Sequence, residues 1–226
     1  MTGNATVSVV IPCFNSAATI ERALRSVEHQ TTKPNEVLVV DDASSDNTVS
    51  VIEQYARTSS INIRVIKQSV NGGPSVARNA AWNVATGEFI AFLDADDQWH
   101  PQKLEVQLNA MLSNPTCVMS FHDHLFGSSE QFETLPFTPV TSQATLRNYL
   151  LRNRSATPTV MLRTALTERF TSTKRYAEDY LLWMTIVANH GNALHIHATL
   201  AHCSNPGYGG SGQSGKLWQL ERSELS

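Results

Sequence analysis

Residues 71–97 read NGGPSVARNAAWNVATGEFIAFLDADD. Asn71 to Pro74 is a loop by composition. Ser75 to Thr86 is Ala-rich and reads as a helix, closed by Gly87 as its C′ residue. Phe89 to Leu93 is an unbroken apolar run of strand length. Three carboxylates, Asp94, Asp96 and Asp97, follow it at once. A helix that feeds a buried strand ending in acid is the repeating unit of a parallel sheet, whose polar chemistry gathers at the carboxyl ends of its strands.

The preceding residues repeat the unit. Val7 to Ile11 is β-branched and reads as a buried strand ending at Pro12. Ser16 is placed to cap a helix in which Ile20, Ala23, Leu24 and Val27 share one face. Val37 to Val40 is a second strand, Asp46 or Asn47 caps the next helix, and Ile63 to Ile66 is a third strand. Pro101 stands where a helix-starting proline belongs. The alternation predicts an α/β fold with a mainly parallel, twisted sheet flanked by helices. The second half is less regular. Cys117 to Phe121 reads as a strand, Gly127 to Pro139 as loop, Glu178 to Asn189 as a helix stopped by Gly191, and Ala193 to Leu200 as a strand. One domain is expected over 1–226, with 1–115 as its first half, 116–204 as a smaller second subregion, and a Gly-rich mobile loop and terminal helix over 205–226.

Composition narrows the function classes. Apolar residues are 41% and charged residues 16% of 226, the balance of a globular chain. A net charge of −3, with no Lys/Arg run, gives no footing for nucleic acid. The three cysteines are far apart and form no CxxC, against a disulfide framework or structural zinc and in keeping with a reducing cytoplasm. No apolar run approaches the ~20 residues of a membrane span. Membrane contact would then be peripheral or through a partner; Trp218, Leu220 and Leu225 of the tail can either touch a membrane surface or pack on the domain.

Several residues can carry chemistry, each against a plainer alternative. Asp94, Asp96 and Asp97 repel one another and, at the end of a buried strand, call for a cation. Hard oxygen ligands suit Mg²⁺ or Mn²⁺, and an Asp-rich turn is the alternative. Asp41 and Asp42 end the second strand, where Asp42 can hydrogen-bond a base or ribose or serve turn chemistry. Phe14, after the first strand, can stack on a nucleobase, although a core position is commoner for its type. Arg78 can meet a phosphate or sit solvated on its helix. The spacings of His122 with His124 and of His195 with His197 allow metal binding, but no third and fourth ligand is evident, so a structural or surface role is favoured. Neither a GxGxxG turn between a strand and a helix of the first half nor a GxxxxGK[ST] loop occurs.

Taken in order, VVIPCFN, VVDDASSDNT and the 71–97 stretch resemble the family 2 glycosyltransferases, which have the GT-A fold. The resemblance covers residues 6 to 115 closely. It implies that Pro12, Phe14 and Asn15 line a nucleoside pocket, with Phe14 against the base and Asp42 bonded to it, most readily uracil. It implies that Asp94 and Asp96 form a DxD motif, that Asp96 binds the metal with Asp97 assisting, and that Arg78 lies near the nucleotide or donor sugar. The family usually has Gly where Ala43 stands, so the turn must be one that Ala can adopt. Asp179, opening a helix beside Glu178, matches the catalytic base; without the resemblance it is a carboxylate favoured by the helix dipole. The His202 to Gly215 stretch, rich in Gly, is placed like the mobile active-site loop of similar enzymes, with a flexible linker to a terminal helix as the alternative.

The function so implied is inverting transfer from a UDP-sugar to a saccharide or lipid-linked saccharide acceptor. A sugar nucleotidyltransferase is the first alternative, weakened because Pro12 to Ala18 holds no Gly, Arg or Lys. A non-catalytic nucleotide-binding module is the second. A processive polymer synthase fits poorly, because Gln219 to Ser223 lacks the Trp of the QxxRW motif.

Overall fold

The computed structural model describes residues 5–127, 132, 139–151, 155–171, 177–191 and 193–204. The glycine-rich stretch and the tail therefore lie outside the described residues, as does most of the loop between Gly127 and Pro139.

Four parallel strands make the first half of the sheet. They are β1 (Val7–Cys13), β2 (Glu36–Asp41), β3 (Ile63–Lys67) and β4 (Phe89–Phe92), in spatial order β3-β2-β1-β4. The chain leaves β1 towards β2 on one side and returns to β4 on the other, so a crevice opens between the carboxyl ends of β1 and β4. Connecting helices are α1 (Ile20–Glu28), α2 (Thr48–Thr58) and α3 (Pro74–Trp82). Beyond β4 the sheet becomes mixed. It contains β5 (Gln98–Trp99), β6 (Met119–Phe126), β7 (Thr141–Ala144), β8 (Met161–Arg163) and β9 (Ala193–Cys203). β8 runs antiparallel to both β4 and β6, β9 runs parallel to β6, and β5 and β7 run antiparallel to β9. Helices α4 (Lys103–Leu112), α5 (Leu146–Leu151) and α6 (Glu178–His190) complete the layers.

Strand alternation sorts the core into two faces. Val9, Ile11, Val37, Val39 and Phe89 pack with Ile20, Leu24, Ile52 and Leu104 of α1, α2 and α4. Val10, Leu38, Val40, Ile90 and Phe92 pack with Ala77, Trp82, Trp183 and Ile186 of α3 and α6. On the second face Trp82, Phe92, Phe170 and Trp183 form an aromatic cluster with centroids 5.4–6.3 Å apart. Asp94 continues the alternation of Ile90 and Phe92 and so falls on the α3/α6 face.

Four local expectations change. β1 runs through Pro12 to Cys13, because β4 pairs with it only as far as Val10 and leaves no ladder on that side at Pro12. Ser16 does not cap α1: Thr19 is the N-cap residue and makes no side-chain cap bond, while the Ser16 hydroxyl turns back to the Phe14 carbonyl. Helix α3 ends at Trp82, before Thr86, and Gly87 serves packing: a Cβ there would stand 2.6 Å from the Ser8 nitrogen. The strand expected from Cys117 begins at Met119 and continues to Phe126. Of the two residues offered as the cap of α2, Asn47 holds the N-cap position without a side-chain cap bond, while Asp46 before it accepts from the Thr48 amide at 2.9 Å; Gly191 closes α6 with φ 95°.

Candidate active site

A cavity of about 790 Å³ opens at the carboxyl ends of β1, β2 and β4. Pro12, Phe14, Asn15, Asp42, Arg78, Asp94 and Asp96 all line it. Phe14 is 48% exposed, so the core alternative for it fails. Its neighbour Asn15 has a left-handed backbone, φ 49°, and its side-chain oxygen accepts from the Ser45 amide at 2.9 Å. That bond ties the end of β1 to the loop after β2.

Asp42 is buried and clamps a second loop. Its two carboxylate oxygens accept from the amides of Gly72 and Gly73 at 2.8 and 2.7 Å. A side chain at Gly73, φ 84°, would strain the turn that presents that amide. Ala43, the next residue, has φ 61°, in the region that favours the glycine usual at this place in the family it resembles.

Arg78 is buried on α3, and the solvated alternative for it fails. Its guanidinium meets Asp94 at 2.7 Å and Glu178 at 3.7 Å. Burial opposes its charge, but the Asp94, Asp179 and Glu178 carboxylates outweigh burial and raise its pKa. This ion cluster joins the end of β4 to the first turn of α6, two segments that lie far apart in the chain. Burial, and after it the charge of Asp179, pushes Glu178 upward. Asp179 beside it accepts a hydrogen bond from the Thr157 hydroxyl at 3.0 Å, in the 3₁₀ turn Thr157–Thr159 that precedes β8.

The acidic loop is held from below. Asp97 is buried and accepts from the Ser204 amide at 2.8 Å, at the end of β9. Arg22 of α1 donates to the Asp96 carbonyl and, at 2.7 Å, to the Ser204 hydroxyl. Burial first, then the charges of Asp94 and Asp96, drive the Asp97 pKa upward. Three carboxylates crowded at one strand end mark a place where a divalent cation would relieve repulsion. The donor set is all oxygen, which fits Mg²⁺ or Mn²⁺. Arg22, Thr157 and Ser204 escaped the sequence analysis; each is an ordinary surface type whose partner lies 22 to 182 positions away.

A cavity at a strand-order switch point, lined by a buried arginine and several carboxylates, defines an α/β domain with its ligand crevice at the carboxyl ends of the strands. The comparisons with known proteins narrow this. The family model described as glycosyl transferase family 2 matches residues 8–170, and the chain belongs to that family. It is 34% identical over 182 residues to the Escherichia coli UDP-Glc:alpha-D-GlcNAc-diphosphoundecaprenol beta-1,3-glucosyltransferase WfgD, covering 80% of this chain and 69% of that protein. It is 40% identical over 115 residues to the putative teichuronic acid biosynthesis glycosyltransferase TuaG of Bacillus subtilis, covering 51% of this chain and 45% of that one. A fragment of S. aureus TarS solved with UDP-GlcNAc superposes with TM-score 0.74 at 27% identity, over 93% of this chain and 60% of that chain. A mannosyltransferase from Pyrobaculum calidifontis, solved with GDP-Man and Mn²⁺, shares the fold at 21% identity and TM-score 0.72, over 98% of this chain and 62% of that one. The chain thus has the GT-A fold and spans about half to two thirds of the length of these proteins. Among the described residues no helix is long and apolar enough to cross a membrane.

Proposed function

We propose that this chain transfers a sugar from a UDP-linked donor to an acceptor hydroxyl, with inversion at the anomeric carbon, in bacterial-type polysaccharide or glycoconjugate synthesis. The observation that carries the proposal is the Arg78 cluster. It sets the donor-side carboxylate Asp94 and the α6 carboxylates Glu178 and Asp179 around one buried cation, so base and leaving-group sites adjoin. WfgD is named for a UDP-sugar donor and a lipid-linked saccharide acceptor, which supports the same classes here. Peripheral contact with the inner face of the membrane would give access to such an acceptor.

Phe14 stacks on the uracil, and Pro12, Asn15 and Asp42 shape the nucleoside pocket. Arg78 and Asp94 face the diphosphate and donor sugar. Asp96, with Asp97 beside it, would hold Mg²⁺ or Mn²⁺, which when bound offsets negative charge on the diphosphate. Asp179, oriented by the Thr157 hydroxyl, takes the proton of the acceptor hydroxyl as its oxygen bonds to the anomeric carbon. The bond from that carbon to the phosphate oxygen breaks, and its electron pair leaves with the nucleoside diphosphate.

Thermal unfolding with a panel of nucleoside diphosphates, with and without Mn²⁺, tests the donor site. UDP at ~100 times its dissociation constant should add about 2.7 kcal/mol of stability. The gain should need the metal and vanish in Asp96→Ala. Asp179→Asn should keep the gain and lose transfer. Absence of any nucleotide effect in the wild type would refute the donor site, and wild-type transfer by Asp179→Asn would refute the base.

A further inference from the structure

Away from the cavity, β6 and β9 bring together a second set of ligating side chains. Asp123 of β6 and His195 and His197 of β9 each offer one ligand atom, all within 4.8 Å of one another. Strand geometry explains the grouping, since residues two apart share a face. Phe121 pairs with His195, and their rings stack at 4.6 Å with 6° between planes. Continued in register, Asp123 would pair with His197. The ladder instead shifts on both sides of Asp123, which pairs with Thr199. Such irregularities re-aim side chains and recur near sites.

The cluster is braced on both edges. His195 Nε2 lies 2.8 Å from Asp123 Oδ1. On the opposite edge of β9, Ser142 of β7 pairs with His195, and its hydroxyl lies 2.8 Å from His197 Nε2. The imidazoles of His195 and His197 stand 4.1 Å apart, centroid to centroid. His195 is buried, while Asp123 and His197 are exposed, so one side opens to solvent.

We propose that Asp123, His195 and His197 form a binding site for a first-row transition-metal ion of the Zn²⁺ class, separate from the acidic loop. Two neutral imidazoles and one carboxylate are a borderline donor set that suits Zn²⁺, Co²⁺ or Ni²⁺ and offers little to Mg²⁺. Ligands about 2.1 Å from a tetrahedral Zn²⁺ lie roughly 3.4 Å apart, so the ion takes the place of the 2.8 Å His195–Asp123 hydrogen bond, whose atoms part slightly, while the exposed His197 turns in. The Ser142 hydroxyl orients that ring. Water completes the coordination on the open side. The bound ion cross-links β6 to β9 in the second subregion. The site does not rest on the glycosyl-transfer proposal.

Cobalt titration of the metal-stripped full chain tests it. One equivalent of Co²⁺ should develop visible absorption, bleached by an equivalent of Zn²⁺ and untouched by excess Mg²⁺. Asp96→Ala should keep the bands. His197→Ala and Asp123→Asn should each weaken binding at least about 100-fold. Circular dichroism should show both variants folded, since His197 and Asp123 are both exposed. Absence of the absorption in wild type, its persistence in folded His197→Ala, or its loss in Asp96→Ala would each overturn the site.

Discussion

Ala43 lets the backbone strain at the cavity be measured. It follows Asp42 in the turn after β2 with φ 61°, a conformation that costs an L-residue roughly 1–2 kcal/mol. Ala43→Gly removes that cost. It also loosens the unfolded chain, worth about 0.4–1 kcal/mol in the other direction. The methyl is half-buried, so its loss subtracts about 0.4 kcal/mol more. The balance is near zero or mildly stabilising, at about 0.5 kcal/mol. The same substitution at Ala77, fully buried inside α3, has no strain to relieve. It forfeits about 1 kcal/mol of helix propensity and about 0.8 kcal/mol of methyl burial. The two variants should thus differ by about 2 kcal/mol, which at 2–4 °C per kcal/mol for a chain of this size is roughly 4–8 °C in Tm. Urea unfolding and a thermal scan of the two variants beside wild type read the difference. An Ala43→Gly protein as unstable as Ala77→Gly would refute the strain assigned to this turn.

Gly87→Ala should destabilise by about 1–3 kcal/mol, because its Cβ would meet the Ser8 backbone nitrogen and the Val7 carbonyl carbon, which cannot step aside; a urea midpoint at or above wild type would contradict this. Glu28 accepts from the Tyr55 hydroxyl, the Ser60 amide and the hydroxyls of Ser59 and Ser60, and these bonds hold its pKa at about 2. A depressed carboxylate pKa gives stability that is complete above the ordinary value of about 4.5 and fades as pH falls towards 2. Glu28→Gln should therefore be less stable than wild type near pH 6, with the gap narrowing by about pH 3, as followed by urea denaturation at each pH; a constant gap would remove Glu28 from the acid response. Lys103 is fully buried with its Nζ over the Trp99 ring at 3.8 Å and, among the described residues, no hydrogen-bond partner; burial pushes its pKa well down, so Lys103→Met should be neutral or stabilising, by up to about 2 kcal/mol in urea unfolding.

What was legible in the sequence follows the range of the interactions involved. β1, β2 and β4 are written as short apolar runs buried along their whole length and α1 in the period of 3.6, and the carboxylates sit at a strand end where the run stops. β5 and β8 are two and three residues long and have no period of their own; pairing with β9 in one case and with β4 and β6 in the other makes them strands. The site divides in the same way. Asp94 and Asp96 announce themselves by local context and Asp179 only through the family resemblance, yet what fixes them is remote: Arg78 for Asp94, Ser204 and Arg22 for the loop of Asp96 and Asp97, Thr157 for Asp179. Asp42 shows why this matters for function. A carboxylate at its position suggests a partner for a base, but in the fold it first holds the Gly72–Gly73 turn from which α3 departs. Since α3 carries Arg78, and Arg78 gathers Asp94 with Glu178, a change at Asp42 reaches the acidic loop and the α6 carboxylates through backbone and ion pairs. Loss of activity on replacing Asp42 therefore carries no information about base recognition by itself. Discrimination between uridine and other nucleosides by the unaltered chain does, because it leaves the Asp42 clamp intact.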